Sequence, residues 1–416
     1  MRHSAFVALA SLVLTFAGCA DDTRSPSEHP DTSTTTPEGN TEGPKTYALI
    51  TQVFAPEGQT SYIVLAEDVL ASQALDLENA IEFPGRAIGA GPTGGGALYV
   101  GGNEGGTITR FDLAPNERRL VPGPTVSFAN EGITSVGEYG DQLQFVSPTK
   151  AYYFDGRTAQ MIVWNPTEMT VERAVDLSEL VVDGALLTFS TNAIRHGESL
   201  AFPLGWRSDA DARIMGDAAV LLVDTTTDAI RVVHDARCGY VRTATEGADG
   251  RLYLATEAYA SAVHRIVPNN APAPCLLRLD ASWSAFDATF HVDLGSLVGG
   301  ATAGNLLPGA SPTTAWIRVL DEKTTSVGPE THPRVLASSP AWGWWAVELG
   351  DAPKATAMPL GVGNGSDFVL NAADRAVIPE FSSDRSQTVL RDMSTGTPGA
   401  TTLSVPGLVF SLVRLR

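Results

Sequence analysis

The feature that most constrains this chain is a repeat. A short strand, a loop and a second strand ending in Asp or a similar turn residue recur along it. The first strands of these pairs begin near Tyr47, Ala97, Lys150, Ser199, Arg251, Thr314 and Asp367. A unit of about 50 residues holding four strands has the size of one β-propeller blade. Seven such units predict an all-β fold, a seven-bladed propeller in which each pair supplies strands b and c of a blade. Eight blades, or one irregular blade, would also fit the spacing. After Ala97 the order reads "ALYVGG" (b), "TITRFDL" (c), "TVSFAN" (d) and "LQFVS" (a), and "KAYYFD" then opens the next unit. WD and kelch signatures are absent.

The strands themselves are short apolar runs rich in β-branched and aromatic residues, separated by Gly, Pro, Asn and Asp turns. The run "AEDVLASQALDLENA" (66–80) and the segment "PNERRL" are the places where a helical turn is expected. The final segment "GLVFSLVRLR" (407–416) is an apolar strand with nothing left to pair inside its own unit. It is expected to supply strand a of the first blade and close the ring, which removes two exposed sheet edges. The glycine-rich "GGNEGG" lies between strand b and strand c, with no helix N-terminus and no following Lys-Ser/Thr. It therefore reads as a hairpin connection rather than a phosphate cradle.

The N-terminal residues read differently. Arg2 and His3 precede the apolar run "AFVALASLVLTFAG", which is too short to span a bilayer and has the pattern of an export signal. "FAGC" resembles a bacterial lipobox, with Phe16 where leucine is commoner. The resemblance implies cleavage before Cys19 and lipidation of its thiol; an ordinary signal peptide is the alternative. Ala20 after the cysteine implies sorting to the outer membrane. Residues 1–18 are thus expected to be a lipoprotein signal peptide, 19–45 the lipidated cysteine and a flexible linker, and 46–416 the propeller. The linker is rich in Thr, Pro, Ser and Glu and has no aliphatic residue, so it cannot bury enough surface to fold.

The net charge of −19 offers no basic field to replace counterions, so nucleic acid is not an expected partner. Within this acidic chain four consecutive units carry long b–c connections: 205–217, 259–274, 324–341 and 375–387. In a propeller the b–c and d–a loops gather on one face, and loops this long in a compact domain are usually functional. They hold the candidate ligand-binding residues Trp206, Arg207, Arg213, Tyr259, His264, Arg265, His332, Arg334, Arg375 and Arg385, with Phe381 beside them. Guanidinium and imidazole groups supply donors and positive charge, and the aromatics supply flat faces, a combination suited to an anionic, aromatic ligand. The competing reading is that these are ordinary loop cations paired with Asp209, Asp211, Glu330 and Asp384.

No cofactor or resident metal is expected. "SDADAR" (208–213) lacks the glycine and distal glutamate of an EF-hand loop, and the seven His show no ligand spacing. No nucleophile elbow or other local catalytic motif is present. "WGWWAVEL" (342–349) reads as blade packing. With Cys19 taken by lipid, Cys238 and Cys275 remain as an even pair in an oxidising compartment. A disulfide between them is expected, at the edge of the proposed pocket, pinning loop 259–274; two separate buried thiols are the alternative.

The segments "PEGQTSY" (56–62), "TITRFDL" (107–113), "TKAYYFD" (149–155) and "MIVWNPTEM" (161–169) resemble stretches of the MxcI-like siderophore-associated lipoprotein propellers. These are related to gut-bacterial lipoprotein propellers that capture ferric siderophores. The resemblance covers the chain from about Thr46. It implies a lipid-anchored outer-membrane protein that binds a ferric catecholate siderophore and passes it to an outer-membrane transporter. A propeller hydrolase or lyase, and a protein-interaction scaffold, are the alternatives.

Overall fold

The computed structural model describes residues 44–56, 58–137, 139–190, 192–371, 376–393 and 401–416. Among them, seven antiparallel sheets follow one another as the blades of a propeller. Blade 1 takes its inner strand a from the C-terminus: Leu408–Arg414 pairs antiparallel with Tyr47–Ala55, placing Tyr47 opposite Arg414. Strands Gly58–Ala66 and Ile81–Pro84 complete it. The expected ring closure is therefore formed by the last strand and the first.

Burial along the strands follows from this arrangement. Strand b of a blade lies between two neighbouring sheets, so both of its faces are covered. Ala97–Gly102 is buried at every position and Lys150–Asp155 at all but its first. Outer strands such as Thr170–Asp176 are largely open to solvent. Alternation along a strand sends successive side chains to opposite neighbours. In blade 3, Ala151 and Tyr153 pack with blade 2, while Tyr152 and Phe154 pack with blade 4. Each of the seven blade interfaces has its own apolar cluster in this way. The smallest joins blades 6 and 7, where the buried apolar members are Leu307, Trp316, Trp344, Ile378 and Met393.

Three expectations about elements are corrected. The 66–80 run forms no helix; Gln73–Ala74 instead pairs in parallel with Thr401–Pro406 of blade 7, across the closure seam. The connections 259–274 and 324–341 are not open loops. The first holds the helix Ala258–Ile266 and the second the helix Pro333–Ala337, and the two share an apolar cluster with Tyr240, Ala341 and Trp342. In the last unit the strand near Asp367 is strand a, Leu370–Asn371. Strand b is Ala376–Phe381 and strand c is Gln387–Asp392, so the 375–387 stretch is mostly strand with a short turn.

"GGNEGG" does connect strands b and c of blade 2. One of its glycines is required by close approach: a Cβ on Gly106 would stand 2.0 Å from the Ile133 carbonyl oxygen. "WGWWAVEL" is strand c of blade 6, with Trp344 buried in the interface with blade 7 and Trp342 buried under the two helices.

Candidate ligand-binding site

The b–c and d–a connections meet on one face and enclose a cavity of about 960 Å³ across blades 6, 7 and 1. Its wall draws on the hairpin of blade 1, the 382–386 turn of blade 7, the Pro333–Ala337 helix and the 361–367 segment leading into blade 7. The volume lies within the ~300–1,000 Å³ usual for small-molecule sites.

One side is aromatic. Phe368 stacks on Phe410 at 5.8 Å between centroids, Phe381 lies 5.6 Å from Phe410, and Tyr139 meets Phe368 edge-on at 6.3 Å. Phe54, at the blade 1 hairpin, is 49% exposed at the rim.

The charged side chains fall into two groups. Arg391 is tied to Glu380 through two hydrogen bonds of 2.6 and 3.0 Å. Arg334 lies with its guanidinium carbon 5.1 Å from the Tyr259 ring centroid. Arg385 is held at the tip of its turn at φ 60°. Its neighbour Asp384 accepts from Ser382 and Ser386 instead. Among the described residues no carboxylate pairs with Arg334 or Arg385, so their charge is open to an incoming anion.

Beneath the cavity is a second ion pair. Arg318 of strand Thr314–Leu320 has a fully buried side chain, 3.8 Å over the Trp344 ring, and donates from Nε to the Asn364 carbonyl at 2.9 Å. Its Nη2 lies 3.4 Å from Asp367 Oδ2, and among the described residues neither Nη atom has a hydrogen-bond partner. Asp367 reaches the cavity wall. Burial pushes its carboxyl up to about 7, against the pull of Arg318, and burial lowers Arg318 to about 10. This polar pair occupies the interface with the smallest apolar cluster.

Of the residues expected from sequence, Arg334, Arg385 and Phe381 line this cavity. The rest are placed elsewhere. Trp206 is buried and donates from Nε1 to the Leu180 carbonyl at 2.8 Å, and Arg207 lies half-buried in an isolated bridge to Ile214. Arg213 pairs with Asp211 at 2.8 Å, as the competing reading anticipates for that loop. Tyr259 is 9% exposed on the Ala258–Ile266 helix. His264 Nδ1 lies 3.1 Å from the Ala271 carbonyl, and Arg265 is held by Glu322 at 2.6 and 2.8 Å. His332 is the N-cap of its helix, its Nδ1 accepting from the Arg334 N–H at 3.2 Å. Arg375 and Cys19 lie outside the described residues. Sequence reasoning missed Arg86, Tyr139, Asp367 and Phe410, all on the cavity wall. The first three sit on d–a connections, and weighing cations there as well as in b–c loops would have found Arg86.

Cys238 and Cys275 do form a disulfide, with Cα atoms 6.0 Å apart. It is buried in the apolar cluster between blades 4 and 5, outside the cavity wall. Among the described residues no group of three or more His, Cys, Asp or Glu could hold a metal ion.

No family model matches the chain, and no curated protein matches it. Solved structures do share its fold. A candidate 6-phosphogluconolactonase from Bacteroides uniformis superposes with a TM-score of 0.51 at 8% identity, covering 89% of this chain and 100% of that one. Apo AztD from Citrobacter koseri has a TM-score of 0.41 at 11% identity over 89% of this chain and 98% of its own. A Lactobacillus plantarum protein gives 0.47 at 11% identity over 89% and 99%. At 8% identity the first of these similarities is one of fold alone.

Proposed function

We propose that this propeller binds a small anionic, aromatic ligand in the cavity across blades 6, 7 and 1, and that the ligand is a ferric catecholate siderophore. The observation that carries this reading is the placement of Arg334 and Arg385, with no carboxylate partner among the described residues, on the same cavity as the aromatic wall of Phe381 and Phe410, which Phe368 backs from the core. Guanidinium groups attract an anion and offer it directed donors, while ring faces accept planar ligand rings. A ferric tris-catecholate brings both a negative charge and flat rings. The lipobox-like "FAGC" at Cys19 and the resemblance to siderophore-associated lipoproteins support a lipid-anchored protein that passes its ligand to an outer-membrane transporter. A hydrolase or lyase has less support, because Glu380, one of the carboxylates on the cavity, is held bidentately by Arg391.

Trp344 lies in the cavity wall and reports on occupancy. Titrating the protein with iron(III) tris-catecholate is expected to quench tryptophan fluorescence saturably, and Trp344→Phe is expected to lose most of that signal. Quenching that does not saturate, or that is equal in the Arg334→Ala/Arg385→Ala double variant, would overturn the reading.

A further inference from the structure

Asp367 is the unusual group of the cavity. Its side chain is 5% exposed, yet it contributes to the wall. The cation that faces it is Arg318, from strand b of blade 6, at 3.4 Å and without a hydrogen bond between them. Arg318 is also engaged elsewhere, with the Asn364 carbonyl and the Trp344 ring. From blade 7 the groups facing this pair are Glu380 and Arg391, which hold each other. The backbone at Asp367 is fixed: its carbonyl accepts from Asn305 Nδ2 at 2.5 Å. The backbone that carries the carboxylate is therefore held when the cavity fills, and among the described residues the carboxylate has no hydrogen-bond donor to hold its charge.

We propose that filling the cavity with an anion places a proton on Asp367, so that capture of the ligand and uptake of a proton are one event. This rests on the anionic-ligand reading above and adds the regulation of that site. An anion seated between Arg334, Arg385 and the aromatic wall brings a second negative charge beside a poorly partnered, desolvated carboxylate. Like charge and desolvation both disfavour its ionised form. Protonation removes the repulsion at Asp367 Oδ and leaves Arg318 facing the ligand's charge. The carboxyl already ionises near neutrality in the empty cavity, at about 7, so the proton is taken up within the range where the protein would work. By linkage, affinity falls as pH rises above that value, with a limit of about tenfold per pH unit for one proton. The device would bind the ligand in a mildly acidic medium and release it in an alkaline one.

The test is calorimetric titration of the purified protein with iron(III) tris-catecholate near pH 8, in two buffers of different ionisation heat. Asp367→Asn is measured beside the wild type, so that protons gained or lost by the catecholate itself cancel. The wild type is expected to take up close to one more proton per ligand than the variant. Its affinity is expected to fall up to about tenfold more than the variant's over one pH unit. Equal proton uptake and equal pH slopes would overturn the inference. If Asp367→Asn fails to fold, the Asp367 carboxyl carbon is followed by NMR in the wild type with gallium(III) tris-catecholate replacing paramagnetic iron. Its titration should move up by about two pH units in the complex, and an unmoved titration overturns the proposal. A wild type that binds no catecholate at all is a different outcome, which overturns the ligand reading itself.

Discussion

Arg242 and Glu257 meet at 3.2 Å as a buried ion pair, with side-chain exposures of 7% and 11%. Arg242 also donates to the Phe189 carbonyl at 3.0 and 2.7 Å, from the connection between blades 4 and 5. Glu257 is the N-cap residue of the Ala258–Ile266 helix. The pair therefore ties the helical cap to the inner strands of the ring. Removing one partner of such a pair leaves an uncompensated buried charge, at a cost of about 3–5 kcal/mol. Glu257→Gln should lower the urea midpoint by the corresponding amount with an unchanged m-value; an unchanged midpoint would show that the pair holds nothing together.

The Cys238–Cys275 bridge closes a loop that contains the Ala258–Ile266 helix. In the chain-entropy model a loop of this size contributes roughly 3–4 kcal/mol. Protein made in an oxidising compartment should show neither thiol free when unfolded without reductant. The Cys238→Ser/Cys275→Ser variant should lose about that much stability to urea. Two free thiols would contradict the bridge.

Arginine substitutions should separate by location. Arg334→Ala and Arg385→Ala should each weaken iron(III) tris-catecholate binding by about tenfold to a hundredfold, the range of a charge-assisted contact. Arg265→Ala should leave affinity unchanged, because Glu322 already holds that guanidinium outside the cavity. A loss at Arg265 equal to that at Arg334 would place the ligand elsewhere on the face.

Stability should carry a pH signature from Asp141. Burial raises its carboxyl from 3.8 to about 6, with the Ala193 N–H pulling the other way from 3.0 Å. Between those values the folded state binds more protons than the unfolded one, so the unfolding free energy falls as pH rises from about 4 and levels off above about 6. Asp141→Asn keeps an acceptor for Ala193 and lacks the titration. Relative to wild type it should gain on the order of 1 kcal/mol between pH 5 and pH 7.5. A constant difference in urea midpoint across that interval would refute this.

Gly106→Ala should destabilise blade 2, since its Cβ would meet the Ile133 carbonyl, a backbone atom that cannot rotate away. A loss of about 1–3 kcal/mol is expected for such overpacking. Equal stability by urea unfolding would show that the 128–133 segment shifts freely.

The repeat, the ring closure and the cysteine pairing were legible in the sequence for related reasons. Alternating apolar strands and turn residues are local signals, and a leftover strand at one end pairs with the unsatisfied edge at the other. An even pair of cysteines has few alternatives. The helix Ala258–Ile266 was not legible, because nine residues are too few to be stable alone and its support comes from the Pro333–Ala337 helix of the next blade. The shifted strand assignment in blade 7 has a similar origin: its inner strand pairs over Leu370–Asn371 alone, too short to leave a pattern. Charge was the least readable property of all. Arg265 and Arg385 look alike in the chain, yet Glu322, from the following blade, neutralises one, while the other faces the cavity with no carboxylate paired to it among the described residues. Sequence alone determined where the strands of the first six blades run and how the ring shuts, since those depend mostly on neighbours along the chain. Only the tertiary structure decided which cations remain open and that Asp367 lies over Arg318, because Coulomb energy depends on distance in space and on the water that folding removes.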